Sequence, residues 1–349
     1  MVDDICVGTV LAPGGLRATQ CRMAAFLAGI PKTTTLRTVN RQCSSGLQSI
    51  ADIAASIKAG YIDIGIAAGL ESMSTNSMGG KNAKKINITD EVKMNMESLN
   101  CLLPMGITSE NVASKYNISR REQDEFSTVS HQRAAKATFG PNKKFSQEIL
   151  PITTKWKDPK SGKVKTITVD KDDGIRPQTT VDGLAKLRAV FKKGGSTTAG
   201  NASQVSDGAA AVLLMKRSQA NKLGLKIMGR FRAFAVSGVA PEIMGVGPAY
   251  AIPKVCKQIG ISHLNDIDLY EINEAFASQA KYCVDKLGLS MDIVNVNGGA
   301  IAFGHPLGCT GTRMTVTLLK EMERRGSKRG IVSMCIGSGM GAAGIFERI

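Results

Sequence analysis

An α/β fold built from strand–helix–strand units follows from three consecutive stretches. Thr35-Leu-Arg-Thr-Val39 has the threonine and branched apolar content of a strand. Leu47, Ile50, Ala51, Ala54 and Ile57 then recur at helical spacing, and Gly60 stands where a helix C-terminus places one. Ile62-Asp-Ile-Gly-Ile-Ala-Ala-Gly69 is a continuous apolar run of the buried parallel-strand kind. Strand, helix and strand at this spacing form a right-handed βαβ unit. With 349 residues, 43% of them hydrophobic, the chain can bury cores for two or three domains.

Ahead of that unit, Ile5 to Leu11 is predicted as a strand, Pro13-Gly-Gly as a turn and Thr19 to Leu27 as a helix. From Thr75 to about Thr198 the composition shifts to Lys, Asn, Ser and Thr. Helical stretches at Thr108 to Lys115 and Arg120 to Thr138 alternate there with loops such as Asp158-Pro-Lys-Ser-Gly162, which reads as an inserted domain of loops and helices. Strand character returns at Asp207 to Met215 and at Met228 to Ala235. A helix is predicted near Ala249 to Ile259, a strand at Ile267 to Tyr270 and a helix from Glu274 to Leu287. A glycine-rich run, Asn295 to Gly308, leads into a helix from Thr310 to Arg325, and Gly330 to Gly341 closes the α/β pattern. Val39 to Gly46 and Ser333 to Gly339 both run from an apolar strand into cysteine, small residues and glycine. That echo suits two half-chains related by a pseudo-twofold, with both cysteines in one site.

Lys and Arg number 45 against 29 Asp and Glu, a net charge of +16, which suits an anionic partner. Nucleic acid, an acidic membrane surface and a phosphate-bearing small molecule are the three classes. Only 5% of residues are aromatic and no Lys/Arg-rich helix or stacking motif is present, so nucleic acid is the least favoured and is not expected as a partner. Eight cysteines (6, 21, 43, 101, 256, 283, 309 and 335) include no Cys-x-x-Cys pair and no zinc-like spacing. They are expected as free thiols in a reducing compartment, with no metal site. No apolar run reaches the ~18 residues of a membrane span, Met-Val-Asp-Asp is not a signal peptide, and Phe346-Glu-Arg-Ile349 is not a peroxisomal tripeptide. A soluble intracellular protein is expected.

Cys43 lies where a strand turns into a helix, predicted in the helix's first turn, where unpaired N–H groups and the positive dipole end favour thiolate over thiol. A small buried hydrophobe is the other reading. Of three histidines, His131 is expected to be solvated on its helix and His263 lies in a polar turn. His305 falls in Phe303-Gly-His-Pro-Leu-Gly-Cys-Thr-Gly311, where glycines and Pro306 fix the backbone and let a substrate approach. It can take the thiol proton, hydrogen-bond an oxyanion, or simply hold a turn. Cys335 precedes a glycine turn whose N–H groups at Gly337 and Gly339 are free to face a negative charge. Asn273 adds a neutral hydrogen-bonding group at the end of a predicted strand. Gly308-Cys-Thr-Gly-Thr-Arg lacks the lysine and spacing of a P-loop, and Gly337-Ser-Gly-Met-Gly-Ala has no room after it for a dinucleotide-binding unit.

Asn40-Arg-Gln-Cys-Ser-Ser-Gly-Leu-Gln48, Asn273-Glu-Ala-Phe276, Asn295 to Gly308 and Cys335-Ile-Gly-Ser-Gly-Met-Gly341 resemble the signature blocks of the thiolase family, over essentially the whole chain. Leu103-Pro-Met-Gly106 and Thr198-Ala-Gly-Asn-Ala-Ser203 are similar to the peroxisomal type of 3-ketoacyl-CoA thiolase. In the short-chain acetoacetyl-CoA type a His precedes the Met-Gly pair, where Pro104 stands here.

The resemblance implies a five-layered αβαβα fold of two similar halves with an inserted loop domain. Residues 1–75 and 206–226 would form the first half, 76–205 the loop domain and 227–349 the second half. It implies an acyltransferase that cleaves 3-ketoacyl-CoA with CoA in fatty acid β-oxidation, a homodimer, a peroxisomal location, and no cofactor, CoA being a co-substrate. Cys43 would be the acyl-accepting nucleophile, His305 its activator and Cys335 the acid/base. One oxyanion hole would be His305 with a water held by Asn273, the other the backbone N–H groups of Cys43 and Gly337. Ser203 and Arg176 would contact CoA, while Met105 and Phe276 would line the acyl end. It further implies several dozen residues ahead of the strand at Ile5, which this sequence does not contain. A condensing, acetoacetyl-CoA-forming thiolase and a non-catalytic lipid-binding relative are the alternatives.

Overall fold

The computed structural model describes residues 1–12, 14–78, 88–158 and 160–349; Pro13 of the expected turn, Pro159 of the expected loop and 79–87 of the expected inserted region lie outside them. In chain order, β1 (Asp4–Gly8), α1 (Arg17–Leu27), β2 (Thr35–Val39), α2 (Ser45–Ala59) and β3 (Ile64–Ser72) form the expected βαβ succession. Next come α3 (Asp90–Met94), α4 (Met96–Asn100), α5 (Met105–Lys115), α6 (Arg120–Phe139), a hairpin of β4 (Ile152–Lys157) and β5 (Val164–Val169), and α7 (Val181–Ala185). The sheet is rejoined by β6 (Asp207–Met215). The second half runs α8 (Arg217–Lys222), β7 (Arg230–Gly238), α9 (Gly247–Gln258), β8 (Leu269–Ile272), α10 (Ala277–Leu287), α11 (Ala300–Phe303), α12 (Leu307–Arg325), β9 (Arg329–Ile336) and β10 (Met340–Glu347).

Two four-stranded sheets result, ordered β2-β1-β3-β6 and β7-β10-β9-β8. β1 is parallel to β2 and β3 while β6 is antiparallel to β3; β8 is parallel to β9 while β10 is antiparallel to β9 and β7. α2 packs on β1 and β3, α12 packs on β3, β6, β8 and β9, and the two helices pack on each other, so they form a central layer between the sheets. α1 covers the first sheet, and α9 with α10 the second, giving five layers. Leu47, Ile50 and Ile53 of α2 and Met314, Leu318 and Met322 of α12 are fully buried in that central layer. The helices can meet because small residues face each other: a Cβ on Gly46 would lie 2.7 Å from the Gly308 carbonyl oxygen, and one on Gly311 2.3 Å from Leu47 N. Their first turns are therefore neighbours, and so are the turns that precede them.

The halves repeat, but not as the sequence echo predicts. β8, β9 and β10 have the relative directions of β1, β3 and β6, and the parallel bridge from Tyr270 to Val294 stands where β2 pairs with β1. By this topology the counterpart of Cys335, penultimate in β9 and opposite Gly341, is Glu71, penultimate in β3 and opposite Gly208. The counterpart of Cys43, just before α2, is His305, just before α12. Cys43 and Cys335 thus come from non-equivalent places, and their similar flanks reflect a shared need for tight turns.

Element limits differ where side chains capture backbone N–H groups. The first strand ends at Gly8 and not at Leu11, because Val10 and Leu11 donate to the Glu71 carboxylate at 2.9 Å each. The helix expected from Glu274 starts at Ala277, since Phe276 is extended (φ −146°, ψ 149°) and bridges Ala202.

Candidate active site

Cys43 lies two residues ahead of α2, with Ser44 as the helix N-cap, and follows Gln42 in a left-handed conformation (φ 47°). It is not in the first helical turn, and burial rather than the dipole governs it. Enclosed with Met73, Leu307, Val10 and Leu11, its thiol is pushed up to about 11 by desolvation. The backbone N–H groups of Gly337 and of Cys43 itself act on the sulfur in the opposite sense, and the charge of Glu71 adds to the rise. The expectation of a ready thiolate is therefore corrected: at rest Cys43 is a thiol.

His305 is 5% exposed and is held by two partners. Thr310 Oγ1 lies 2.7 Å from Nδ1 and Asn273 Nδ2 lies 3.3 Å from Nε2. The Asn273 amide nitrogen also lies 3.5 Å from Nδ1; an Nδ1–H donating to Thr310 Oγ1, by far the shortest of these contacts, leaves the Nε2 lone pair as the ring's acceptor. Burial, reinforced by the Arg313 guanidinium, drives His305 down to about 3, so the ring is neutral at neutral pH. Asn273 Oδ1 is buried with no hydrogen-bond partner among the described residues, an acceptor available to a water or a substrate group.

Cys335 is fully buried, and desolvation, with the nearby Cys43, raises its thiol well above the usual range. It packs with Met105, Met244, Ala275 and Phe276, joining both predicted acyl-end residues to the second cysteine. The Gln279 amide stands 3.3 Å from Cys335 Sγ; turned so that its nitrogen donates to the Asn273 carbonyl (3.2 Å), its oxygen accepts from Ala280 N (2.6 Å). Past Cys335 the chain turns through Ser338 (φ 63°) and Gly339 (φ 92°), which aims the Gly337 N–H at Cys43.

Ser203 is half-buried between the two turns: its N–H donates to Ala275 O (3.0 Å), and the next residue, Gln204, accepts from His305 N (3.2 Å). Arg176 is exposed and stands apart from this cluster, its backbone N–H donating to His131 Nδ1 at 3.2 Å. His131 is accordingly not solvated but 3% exposed, pushed down to about 4 by burial and by the Arg176 charge. Gln279, Thr310, Glu71 and His131 are the polar residues that the sequence motifs do not single out. Only Thr310, five residues beyond His305 and at the start of one helix, carries a local signal.

Comparison with known proteins agrees with the two-half architecture. The profile of the thiolase N-terminal domain matches residues 1–218, and that of the thiolase C-terminal domain residues 225–348. The chain is 62% identical to the peroxisomal 3-ketoacyl-CoA thiolase 1 of Arabidopsis thaliana, over 99% of this chain and 77% of that protein. It is 57% identical to the peroxisomal 3-ketoacyl-CoA thiolase A of Mus musculus, over 99% and 80%. The crystal structure of the dimeric peroxisomal thiolase of Saccharomyces cerevisiae superposes with a TM-score of 0.90 at 49% identity, covering 100% of this chain and 85% of that one. Human mitochondrial 3-ketoacyl-CoA thiolase gives 0.86 at 39%, covering 100% and 88%. Two family profiles that together span nearly every residue, and relatives this similar over most of their own length, show that the chain belongs to the thiolase family.

Proposed function

We propose that the protein is a 3-ketoacyl-CoA thiolase of peroxisomal fatty acid β-oxidation, an acyltransferase that uses CoA to split 3-ketoacyl-CoA into acetyl-CoA and a shortened acyl-CoA. The observation that carries this reading is the Gly337 N–H acting on Cys43 Sγ, which puts both thiols and a pair of backbone donors in one buried place. The names of the Arabidopsis and mouse relatives support the activity and the organelle.

In the forward direction Cys43 Sγ attacks the 3-keto carbonyl carbon while its proton passes to His305 Nε2. The tetrahedral oxyanion lies against the N–H groups of Cys43 and Gly337 or against the Asn273 and His305 pair. As that oxyanion collapses, the bond between the keto carbon and the α-carbon breaks, and the electron pair left on the acetyl-CoA carbon takes the Cys335 thiol proton. A thiol held well above its usual range is protonated at neutral pH and so ready to act as this acid. The Cys335 thiolate then removes the CoA thiol proton, and the CoA sulfur attacks the Cys43 thioester. Cys43 leaves as thiolate and recovers its proton from His305. Ping-pong kinetics follow.

Arg176 and Ser203 are assigned to CoA, and Met105 and Phe276 to the acyl end. Human mitochondrial 3-ketoacyl-CoA thiolase, crystallised in complex with CoA, supports the co-substrate, and the dimeric yeast relative supports a homodimer. Domain limits of 1–75 with 206–226, 76–205 and 227–349 fit the strands that β6 and β7 supply to separate sheets. A spectrophotometric thiolysis assay with acetoacetyl-CoA and a long-chain 3-ketoacyl-CoA tests the reading. Cleavage is expected, with acylation of Cys43 seen by mass spectrometry and lost in Cys43→Ala; acylation that persists in that variant would overturn the assignment.

A further inference from the structure

Glu71 stands at the end of β3, 1% exposed, in a part of the chain that no step above uses. Its carboxylate accepts from Val10 N and Leu11 N at 2.9 Å each, in the turn after β1, and from Gly308 N at 3.0 Å, in the first turn of α12. Oε2 is shared between Val10 and Gly308, so one oxygen joins the two halves. α12 has Pro306 at its N-cap position and no cap from its own side chains; the carboxylate reaching it from the first half supplies the missing acceptor at the helix's positive end. The contact is tight. A Cβ on Gly308 would lie 2.5 Å from Thr9 Cα, so the first turn of α12 is seated directly on the turn that Glu71 also holds.

The repeat of the two halves gives this contact a counterpart. At the end of β9, the strand equivalent to β3, the Gly337 N–H reaches across to Cys43 just before α2; at the end of β3, Glu71 reaches across to the helix that follows His305. Each central strand thus ends on the catalytic turn of the other half.

From this geometry we infer that Glu71 is a positioning residue for the activation of Cys43: by capping α12 from the opposite half it fixes the turn carrying His305, and so holds the imidazole that serves Cys43. The inference rests on the reading of Cys43 as nucleophile and His305 as its base. Because Glu71 acts through His305, its removal is felt only when that base is present. The carboxylate also bears on the Cys43 sulfur as a negative charge, which disfavours the thiolate. Loss of charge and loss of position therefore push Cys43 reactivity in opposite directions, and the two can be told apart.

The test is a double-mutant cycle on the rate of Cys43 alkylation by iodoacetamide at fixed pH, with folding followed by far-UV circular dichroism. Glu71→Gln in the otherwise natural chain is expected to slow alkylation roughly tenfold and to lower thiolysis kcat ten- to a hundredfold with KM little changed, the size of effect an ångström-scale misplacement produces. In the His305→Ala chain the same change is expected not to slow alkylation, and with the charge gone to quicken it. Equal slowing in both backgrounds would overturn the proposal, as would an unchanged kcat. Glu71→Asp keeps the charge but shortens the reach by a methylene, and is expected to lose kcat like the Gln variant without the quickening in the His305→Ala chain. On the unaltered protein, the Gly308 amide is expected to exchange with solvent as slowly as the interior amides of α12, and fast exchange would refute the cap. The alkylation arm needs no CoA ester. A natural chain whose alkylation depends on His305 but which cleaves no 3-ketoacyl-CoA would therefore refute the proposed function and leave the role of Glu71 standing.

Discussion

Cys43 and His305 are a neutral pair at rest, and burial is why. A thiol pushed up to about 11 and an imidazole pushed down to about 3 leave no thiolate–imidazolium pair standing ready, so in the proposed mechanism the proton moves as the bond to substrate forms. Because His305 stays unprotonated throughout the neutral range, kcat/KM is expected to show no loss between pH 8 and pH 6 that belongs to this residue. A fall with an apparent pKa near 6.5 that vanishes in His305→Ala would contradict that. His131, bound to the backbone of Arg176, offers a second residue-level test: His131→Ala is expected to raise the CoA KM about fivefold, the worth of one hydrogen bond of ~1 kcal/mol, with kcat retained. Steady-state kinetics over a range of CoA checks it. The turns that carry Cys43, Cys335 and His305 were legible in the sequence because the glycines and proline in those stretches already announce tight turns. Glu71 was not, since its acceptor role is filled by partners 60, 61 and 237 positions away, and no local pattern encodes a bond between halves.

At the scale of elements, the central pair α2 and α12 brings the site together, and its closeness depends on residues without side chains. Gly311→Ala gains up to about 1 kcal/mol of helix propensity but places a methyl carbon 2.3 Å from Leu47 N. Backbone cannot step aside as a side-chain tip can, so a net loss of roughly 1–3 kcal/mol is expected. Calorimetry reads it as a lowered Tm, with activity falling alongside; an unchanged Tm would show that the helices can part without cost. The existence and type of the long elements were legible from their periodicity. Their ends were less so, because an N–H that a distant carboxylate captures, as at Val10 and Leu11, ends a strand that the apolar pattern would continue.

For the whole molecule, acid acts in opposite senses on its buried histidines and on the buried Glu271 carboxyl, which desolvation raises to about 8 and which therefore stabilises the fold as pH falls from 8 toward 4.5. His131 and His305 have folded values depressed below 6.5 by desolvation, so the unfolded chain binds protons first and stability falls as pH drops from about 6.5 toward 4. Glu321 acts lower down. Burial raises its carboxyl, but hydrogen bonds from Asn297, Arg325, Arg324 and Lys144 outweigh this and hold it at about 2, so its contribution is present above about 4.5 and is lost as pH falls through 2. With the two effects opposed, the test is comparative: between pH 7 and pH 4 the melting temperature of His131→Gln is expected to fall less, or rise more, than that of the natural chain, and identical profiles would refute the assignment.

The hairpin of β4 and β5 carries the only tryptophan in the sequence, Trp156, on a strand whose six residues are all exposed. Optically this divides the molecule in two. Tryptophan emission reports an outlying ribbon, while the paired sheets and their central helices contribute nothing to that signal and are visible only to circular dichroism. Under denaturant the fluorescence change is expected to precede the dichroism change, because a two-stranded ribbon with both faces wetted has little to hold it once its surroundings loosen. Coincident transitions would instead make ribbon and sheets a single cooperative unit.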